Sequence, residues 1–288
     1  RVSGRDLDGI VQAVEDRAEL FKLLEDYPNT FSISAHWHRQ DHFFLGEGDG
    51  WPREDKHHHL VHATACGGWW SGQFDEVGIP HTTMRDGAPN GYSIITFDGT
   101  AYSVRFKAAR RPADYQMNIA APEVITADQA ENTEVVANIF AGSARSTAEL
   151  RLGGGPWRPM EAYRGEAPTY VEAVERGQER LSRIARERGP DYVNDDILRH
   201  YEDKYRDVLG RGLPDPKETD HLWRGTLPAN PEPGYHLIHV RTTDMFGQTY
   251  TDQRVIRVEP APEPNPLEEA AENESPATNP LEYSDTVA

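Results

Sequence analysis

The chain has 288 residues, 48 of them acidic and 30 basic, giving a formal net charge of −18 and a pI near 5.0. This balance excludes a polyanion binder held by bulk charge, because nucleic acid and anionic membranes are attracted by excess Lys and Arg. A hydrophobic fraction of 37% with 24 Gly and 21 Pro supports a core and many turns, so one or two globular domains are expected, not a disordered chain or a fibre.

The sequence opens at Arg1 without Met and without a signal peptide's apolar stretch, which reads as a piece beginning inside a larger protein. Leu7, Ile10, Val11, Val14, Ala18, Phe21 and Leu24 recur at helical spacing and predict a helix over 7–25, closed by Pro28. A strand follows at 31–34, then His36-Trp37-His38 and a second β-type run at 42–45, the grammar of an α/β layer with working groups at strand ends. From His59 onward short β-type runs alternate with Gly, Pro, Asn and Asp: 60–63, 92–97, 101–106, 115–119 and 134–140. Asp98-Gly99 predicts a tight hairpin. Helical spacing returns at 171–184 and 197–208, and strands at 235–240 and 254–258. Regular strand spacing argues for a β-sandwich, with closing strands of immunoglobulin-like or fibronectin-like appearance.

Beyond Arg257 there is no Lys or Arg, whereas eight acidic residues from Glu259 to Asp285 are interleaved with six prolines. Such a segment buries too little apolar surface to offset its ordering entropy, so 259–288 is expected to be a disordered tail, leaving −10 on the folded part. A single cysteine, Cys66, excludes an intramolecular disulfide and a cysteine-based zinc cluster, and no run of eighteen apolar residues is present to span a membrane.

Seven of the twelve histidines lie between 36 and 62: His36, His38, His42, His57, His58, His59 and His62. Neutral imidazole is the commonest metal ligand, and on an extended backbone His36 and His38 project to the same side. Two histidines cannot complete a site, since a divalent cation takes four to six ligands. The plain alternative is that these are ordinary loop and strand residues; a purification tag fits the internal 57–59 run poorly.

Ser34-Ala35-His36-Trp37-His38, after a helix and an apolar strand, resembles the last metal-binding motif of the calcineurin-like metallophosphoesterases, usually Ser-Gly-His-x-His. Cys66-Gly67-Gly68-Trp69-Trp70-Ser71-Gly72, Gly78-Ile79-Pro80 and Met84-Arg85-Asp86-Gly87-Ala88-Pro89-Asn90-Gly91-Tyr92 resemble the start of the C-terminal domain in one branch of that family. His221-Leu222-Trp223, Leu227-Pro228, Gly234-Tyr235-His236 and Asp244-Met245-Phe246-Gly247 resemble its later landmarks, so the likeness spans about 20–258. The resemblance implies an α+β chain: a terminal piece of the α/β metallophosphoesterase sandwich at 1–56, then an immunoglobulin-like β-sandwich at 57–258 with a helical insert near 168–209. It implies a phosphoester substrate and two divalent metal ions (Mn, Fe, Zn or Mg), with His36 and His38 as ligands, one to each. Ala35 departs from the usual Gly, a small change in the turn. The family's Asp-x-His, Gly-Asp-x-x-Asp and Gly-Asn-His-Asp/Glu motifs are absent here, so an upstream catalytic portion in cis is expected to supply the remaining ligands, and this chain alone to be inactive.

Paired Trp69 and Trp70 read first as core or interface anchors, and Asp86-Gly87 and Asn90-Gly91 as turns. The functional alternative makes His59, Trp69, Trp70, Asp86 and Asn90 substrate contacts that narrow access to the catalytic face. The helices of 168–209 read as a solvated cover. Rival readings are a non-catalytic module that binds a glycan or protein partner through the two indoles, and an accessory domain that braces the catalytic half. A cell-envelope or secreted setting is favoured over a cytoplasmic one.

Overall fold

The computed structural model describes residues 16–62, 64–74, 78–189 and 193–262. The first part of the predicted first helix, 7–15, and most of the acidic tail lie outside them; the tail's first residue, Glu259, still belongs to a strand. The chain is mostly β-sheet with few helices. Helix α1 (Arg17–Leu24) precedes a three-stranded sheet of β1 (Phe31–Ser34), β2 (Asp41–Leu45) and β3 (His57–Val61). Its order is β1-β3-β2, with β3 parallel to β1 and antiparallel to β2. The boundary expected after residue 56 falls at the start of the central strand of this sheet, His57–Val61, which pairs with both β1 and β2.

Next comes the hairpin β4 (Gly91–Asp98) and β5 (Ala101–Ala108), closed at the predicted Asp98-Gly99, with Gly99 at φ 58°. Nine further strands follow: β6 (Met117–Ala120), β7 (Val124–Thr126), β8 (Glu134–Ile139), β9 (Thr147–Leu152), β10 (Arg158–Pro159), β11 (Glu161–Gly165), β12 (Thr219–Thr226), β13 (Gly234–Thr243) and β14 (Thr249–Glu259). They form a five-stranded sheet, β10-β9-β13-β14-β7, and a four-stranded one, β11-β12-β8-β6. Ile139 and Trp223 from the four-stranded sheet share one buried cluster with Leu150, Ile238, Val240 and Ile256 from the five-stranded sheet, an arrangement compatible with a β-sandwich.

Between β11 and β12 lie α2 (Pro168–Arg188) and α3 (Asp195–Leu209). Pro at the first position starts α2 without losing a hydrogen bond, and the Asn194 side chain caps α3 by accepting from the backbone N of Ile197 at 3.0 Å. Leu222 and Val136 point away from the sandwich interior and pack with Tyr170 and Val174 of α2. The four-stranded sheet is thus covered on both faces, which explains why His221, Leu222 and Trp223 are consecutively buried. Helix α2 is more than a solvated cover, because its apolar stripe seals that sheet.

The first sheet joins the β-domain through aromatic contacts and one buried polar hub. Tyr102 of the hairpin stacks on Phe31 with ring centroids 4.6 Å apart, and its hydroxyl lies 2.5 Å from His58 Nδ1. Asp86, which has no exposed surface, is the hub. Its carboxylate accepts from the backbone N of Gln40 at 2.7 Å, the backbone N of Ala88 at 2.9 Å and His221 Nε2 at 3.2 Å. Asn138 donates to the Asp86 carbonyl at 2.9 Å, and its own Oδ1 lies 2.8 Å from His221 Nδ1. Gly87 lets this turn form: its φ is 78°, and an added Cβ would lie 2.4 Å from the Ala167 Cβ.

Asp86→Ala would leave three buried donors without an acceptor, and breaking a buried pair of this kind costs about 3–5 kcal/mol. A urea titration checks this; a loss under about 1 kcal/mol would show that the hub is dispensable. The first sheet carries a second expectation, for acid. Burial, with repulsion from His58, pushes His42 from 6.5 down to about 3, and burial likewise brings His58 and His59 to about 4. The unfolded chain therefore binds more protons than the folded one between those values and 6.5. The associated stability is complete above about pH 6.5 and is lost as pH falls towards 4. Thermal midpoints measured across that range should drop, and His42→Asn should remove about one proton from the uptake on unfolding.

Candidate functional site

Loop 35–40 leaves the C-terminal end of β1, the end at which parallel sheets usually carry their ligands. His36 and His38 have φ values of 87° and 52°, so the segment is bent and left-handed. The expectation that they project to one side of an extended strand is corrected accordingly: the period-two rule has no purchase on a bend. Trp69 and Trp70, in the loop that follows β3, are also left-handed, at 58° and 54°. Among the described residues only Arg110 and Asn230 join these four as non-glycine residues with positive φ. Such conformations cost on the order of 1–3 kcal/mol each and cluster at functional sites, so strain concentrated in two touching loops marks a candidate site.

The touching point is His38. Its ring stacks on Trp69 with centroids 3.8 Å apart and planes at 18°, and its Nδ1 lies 2.5 Å from the carbonyl oxygen of Gly67. A carbonyl only accepts, so Nδ1 carries the proton and Nε2 keeps its lone pair. This is how proteins fix the tautomer of a ligating histidine. Gly67 is positioned by its lack of a side chain: at φ 53°, an added Cβ would lie 1.3 Å from the Thr82 carbonyl oxygen. Cys66, half-buried, has its sulfur 3.9 Å from the same His38 nitrogen.

The histidine loop is held from below. Arg39 and Asp41, both nearly buried, form an ion pair at 2.5 Å, and the backbone N of Gln40 reaches Asp86. Burial raises the Asp41 carboxyl to about 6, although Arg39 opposes the shift. His36 is exposed.

The expected substrate contacts separate. Trp69 and Trp70 are 49% and 50% exposed, which corrects the core half of the anchor reading and leaves the interface half standing; one face of Trp69 is covered by His38. Asp86 is interior, and a contact with substrate does not fit a carboxylate sealed from solvent. Asn90 donates to the Ala65 carbonyl at 2.9 Å and braces the tryptophan loop.

His59 has both ring nitrogens engaged, Nδ1 with Ser32 Oγ at 2.7 Å and Nε2 with Ser34 Oγ at 2.9 Å, which leaves none for substrate. The same Ser32 hydroxyl lies 2.7 Å from His57 Nε2, and Thr30 Oγ1 lies 2.8 Å from His57 Nδ1. The result is a continuous ladder, Thr30-His57-Ser32-His59-Ser34, fastening β1 to β3. His42 and His58 pair with each other on the sheet, Nδ1 to Nε2 at 2.8 Å. Among the described residues no group of three or more His, Cys, Asp or Glu is placed to hold a metal ion, so this portion by itself does not make a complete metal site.

Comparison with known proteins places the chain. The family model for the C-terminal domain of calcineurin-like phosphoesterase matches residues 59–201 and 179–250. The tryptophan loop, the Asp86 turn and His221 lie inside the match, and His36 and His38 lie before it. No curated protein matches. Among solved structures, the sulfane dehydrogenase SoxCD from Paracoccus pantotrophus aligns over 74% of this chain and 44% of its own, at 12% identity and a TM-score of 0.19, too low to carry an argument. The chain spans less than half the length of that protein. With two thirds of its residues under one family model, this chain belongs to the calcineurin-like phosphoesterases, residues 59–250 matching the family's C-terminal domain.

Proposed function

We propose that the chain is the terminal portion of a metal-dependent phosphoesterase, in which His36 and His38 complete a two-metal centre whose other ligands come from an upstream portion in cis. The observation that carries this reading is His38: its Nδ1–H is committed to Gly67, which leaves Nε2 as a free ligand at a strand end. The domain matched by the family model thus controls the orientation of a metal-type imidazole on the preceding sheet. Divalent cations bound there would polarise phosphoryl oxygens and lower the pKa of an attacking water. Trp69 holds the His38 ring by stacking, the Arg39–Asp41 pair and Asp86 fix the loop that carries it, and His36, exposed on the same loop, is the second ligand. In this reading the β-domain is an immunoglobulin-like sandwich with a helical insert at 168–209, and it acts as a brace for the catalytic face.

A second reading, a binding module using exposed indoles, gains support from the exposure of Trp69 and Trp70. It is weakened by His38, which occupies one face of Trp69 and leaves a smaller platform for a sugar ring.

The isolated chain should hydrolyse an aryl phosphate poorly with added manganese, and robust turnover would show that the ligands assigned upstream are unnecessary. In the intact protein, His38→Ala should remove bound metal and activity together. Trp69→Ala should lower metal affinity by about 10- to 100-fold, the usual effect of disturbing a group that orients a ligand. Metal content that is unchanged in both variants sinks the assignment of His38.

A further inference from the structure

The tryptophan loop has a second side. Between residues 69–73 and helices α2 and α3 lies a cleft of about 530 Å³, in the size range of small-molecule sites. Trp69, Val174, Leu181 and Leu213 supply its apolar lining, and Arg176, Arg180 and Arg211 bring positive charge to it. On a chain with a net charge of −18, the lining of this opening carries three guanidinium groups against one carboxylate, a local excess of positive charge. Glu202, the acidic residue of the lining, is turned to the backbone N of Gly212 at 2.8 Å. Arg180 donates to the Gln73 side chain at 3.1 Å and Arg176 pairs with Glu172, exposed contacts of the kind that contribute little and yield readily to a ligand.

The floor is rigid. The backbone N of Gly72 donates to the Arg211 carbonyl at 2.6 Å, and a Cβ on Gly210 would lie 2.2 Å from the Gly72 oxygen, so the two segments meet backbone to backbone. The wall has an opening at Gly177. A glycine inside a helix costs about 1 kcal/mol relative to alanine, and here it sits where an added Cβ would face the Gln73 side chain at 3.9 Å. A longer side chain at that position would project into the cleft.

We propose that this cleft binds an anionic organic group with a flat apolar part: the ring lies against Trp69 and the leucines, and arginine takes the anion through its planar donors. Trp69 would then be a shared wall, with His38 on one face and the non-transferred part of the substrate beside it. The inference rests on the phosphoesterase reading for its role, but not for its test. Isothermal titration of this chain, without metal, with AMP, adenosine and inorganic phosphate as probes should give saturable binding of AMP, with adenosine and phosphate each at least about tenfold weaker. Gly177→Leu should abolish AMP binding while the unfolding midpoint stays level or rises, and Arg180→Gln should weaken binding several-fold. Absence of saturable AMP binding at millimolar concentrations, AMP binding that survives both substitutions, or adenosine or phosphate binding as well as AMP would each overturn the proposal. Because no metal or turnover enters the titration, such a result condemns the cleft alone; a metal-free intact enzyme would condemn only the phosphoesterase reading.

Discussion

The placement of the histidine loop depends on one buried carboxylate. Asp86 draws donors from three separate stretches of chain: Gln40 behind the histidines, Ala88 in its own turn, and His221 on β12. A desolvated carboxylate is costly unless its lone pairs are filled, so the arrangement is stable only when all three segments are in register. That requirement converts a local turn into a joint between the first sheet and the sandwich. Asn138 extends it by bonding both the Asp86 carbonyl and the His221 ring, and Gly87 permits the close approach.

The density of histidine follows a similar logic. A neutral imidazole offers one donor and one acceptor, so it can continue a donor–acceptor chain between two hydroxyls, whereas a carboxylate only accepts and an ammonium only donates. His57 and His59 do this with Thr30, Ser32 and Ser34, and burial keeps the His59 ring in the neutral form that the ladder needs. The Ser32 hydroxyl, between the two rings, donates to one and accepts from the other, so the tautomers of His57 and His59 are coupled: both Nε2–H or both Nδ1–H. Such a network ties an edge strand to its neighbour by side chains as well as backbone. Four of the seven clustered histidines, His42, His57, His58 and His59, are therefore structural connectors. The histidine count thus marks a sheet-fastening network, and His36 and His38 stand apart from it in the loop that leaves β1.

Much of the β-domain was legible because its signals are local. Period-two runs found β4, β5, β8, β13 and β14, Asp98-Gly99 found the hairpin, and periodicity found α2 and α3 to within a few residues. What escaped depends on partners distant in sequence. His57–Val61 reads as the opening of a new unit, yet its place is set by hydrogen bonds to β1 and β2. Strands β7 and β10 are short edge strands and β9 carries polar alternation, so all three gain their identity from pairing with neighbouring strands. Asp86 looks like a turn residue in sequence, and only the approach of Gln40 and His221, 46 and 135 residues away, makes it an interior anchor. The exposure of Trp69 and Trp70 was hidden for the opposite reason. Large aromatics usually bury themselves, but left-handed backbone at both residues turns these outward.

Net charge illustrates the limit of composition most sharply. Eight of the acidic residues lie beyond Val258, while two others, the buried Asp86 and the nearly buried Asp41, sit at the joint between the first sheet and the sandwich. A ligand near Trp69 meets Arg176, Arg180 and Arg211 in the lining of the cleft itself, whereas salt damps exposed charges beyond about 8 Å at physiological ionic strength. An acidic protein can thus present a basic cleft without contradiction. The phosphoester reading gives that cleft a consistent place: an anionic substrate repelled by the surface at large would be accepted only where helix α2 brings arginines to the edge of the tryptophan loop, next to the histidine that the same loop holds in its ligating tautomer.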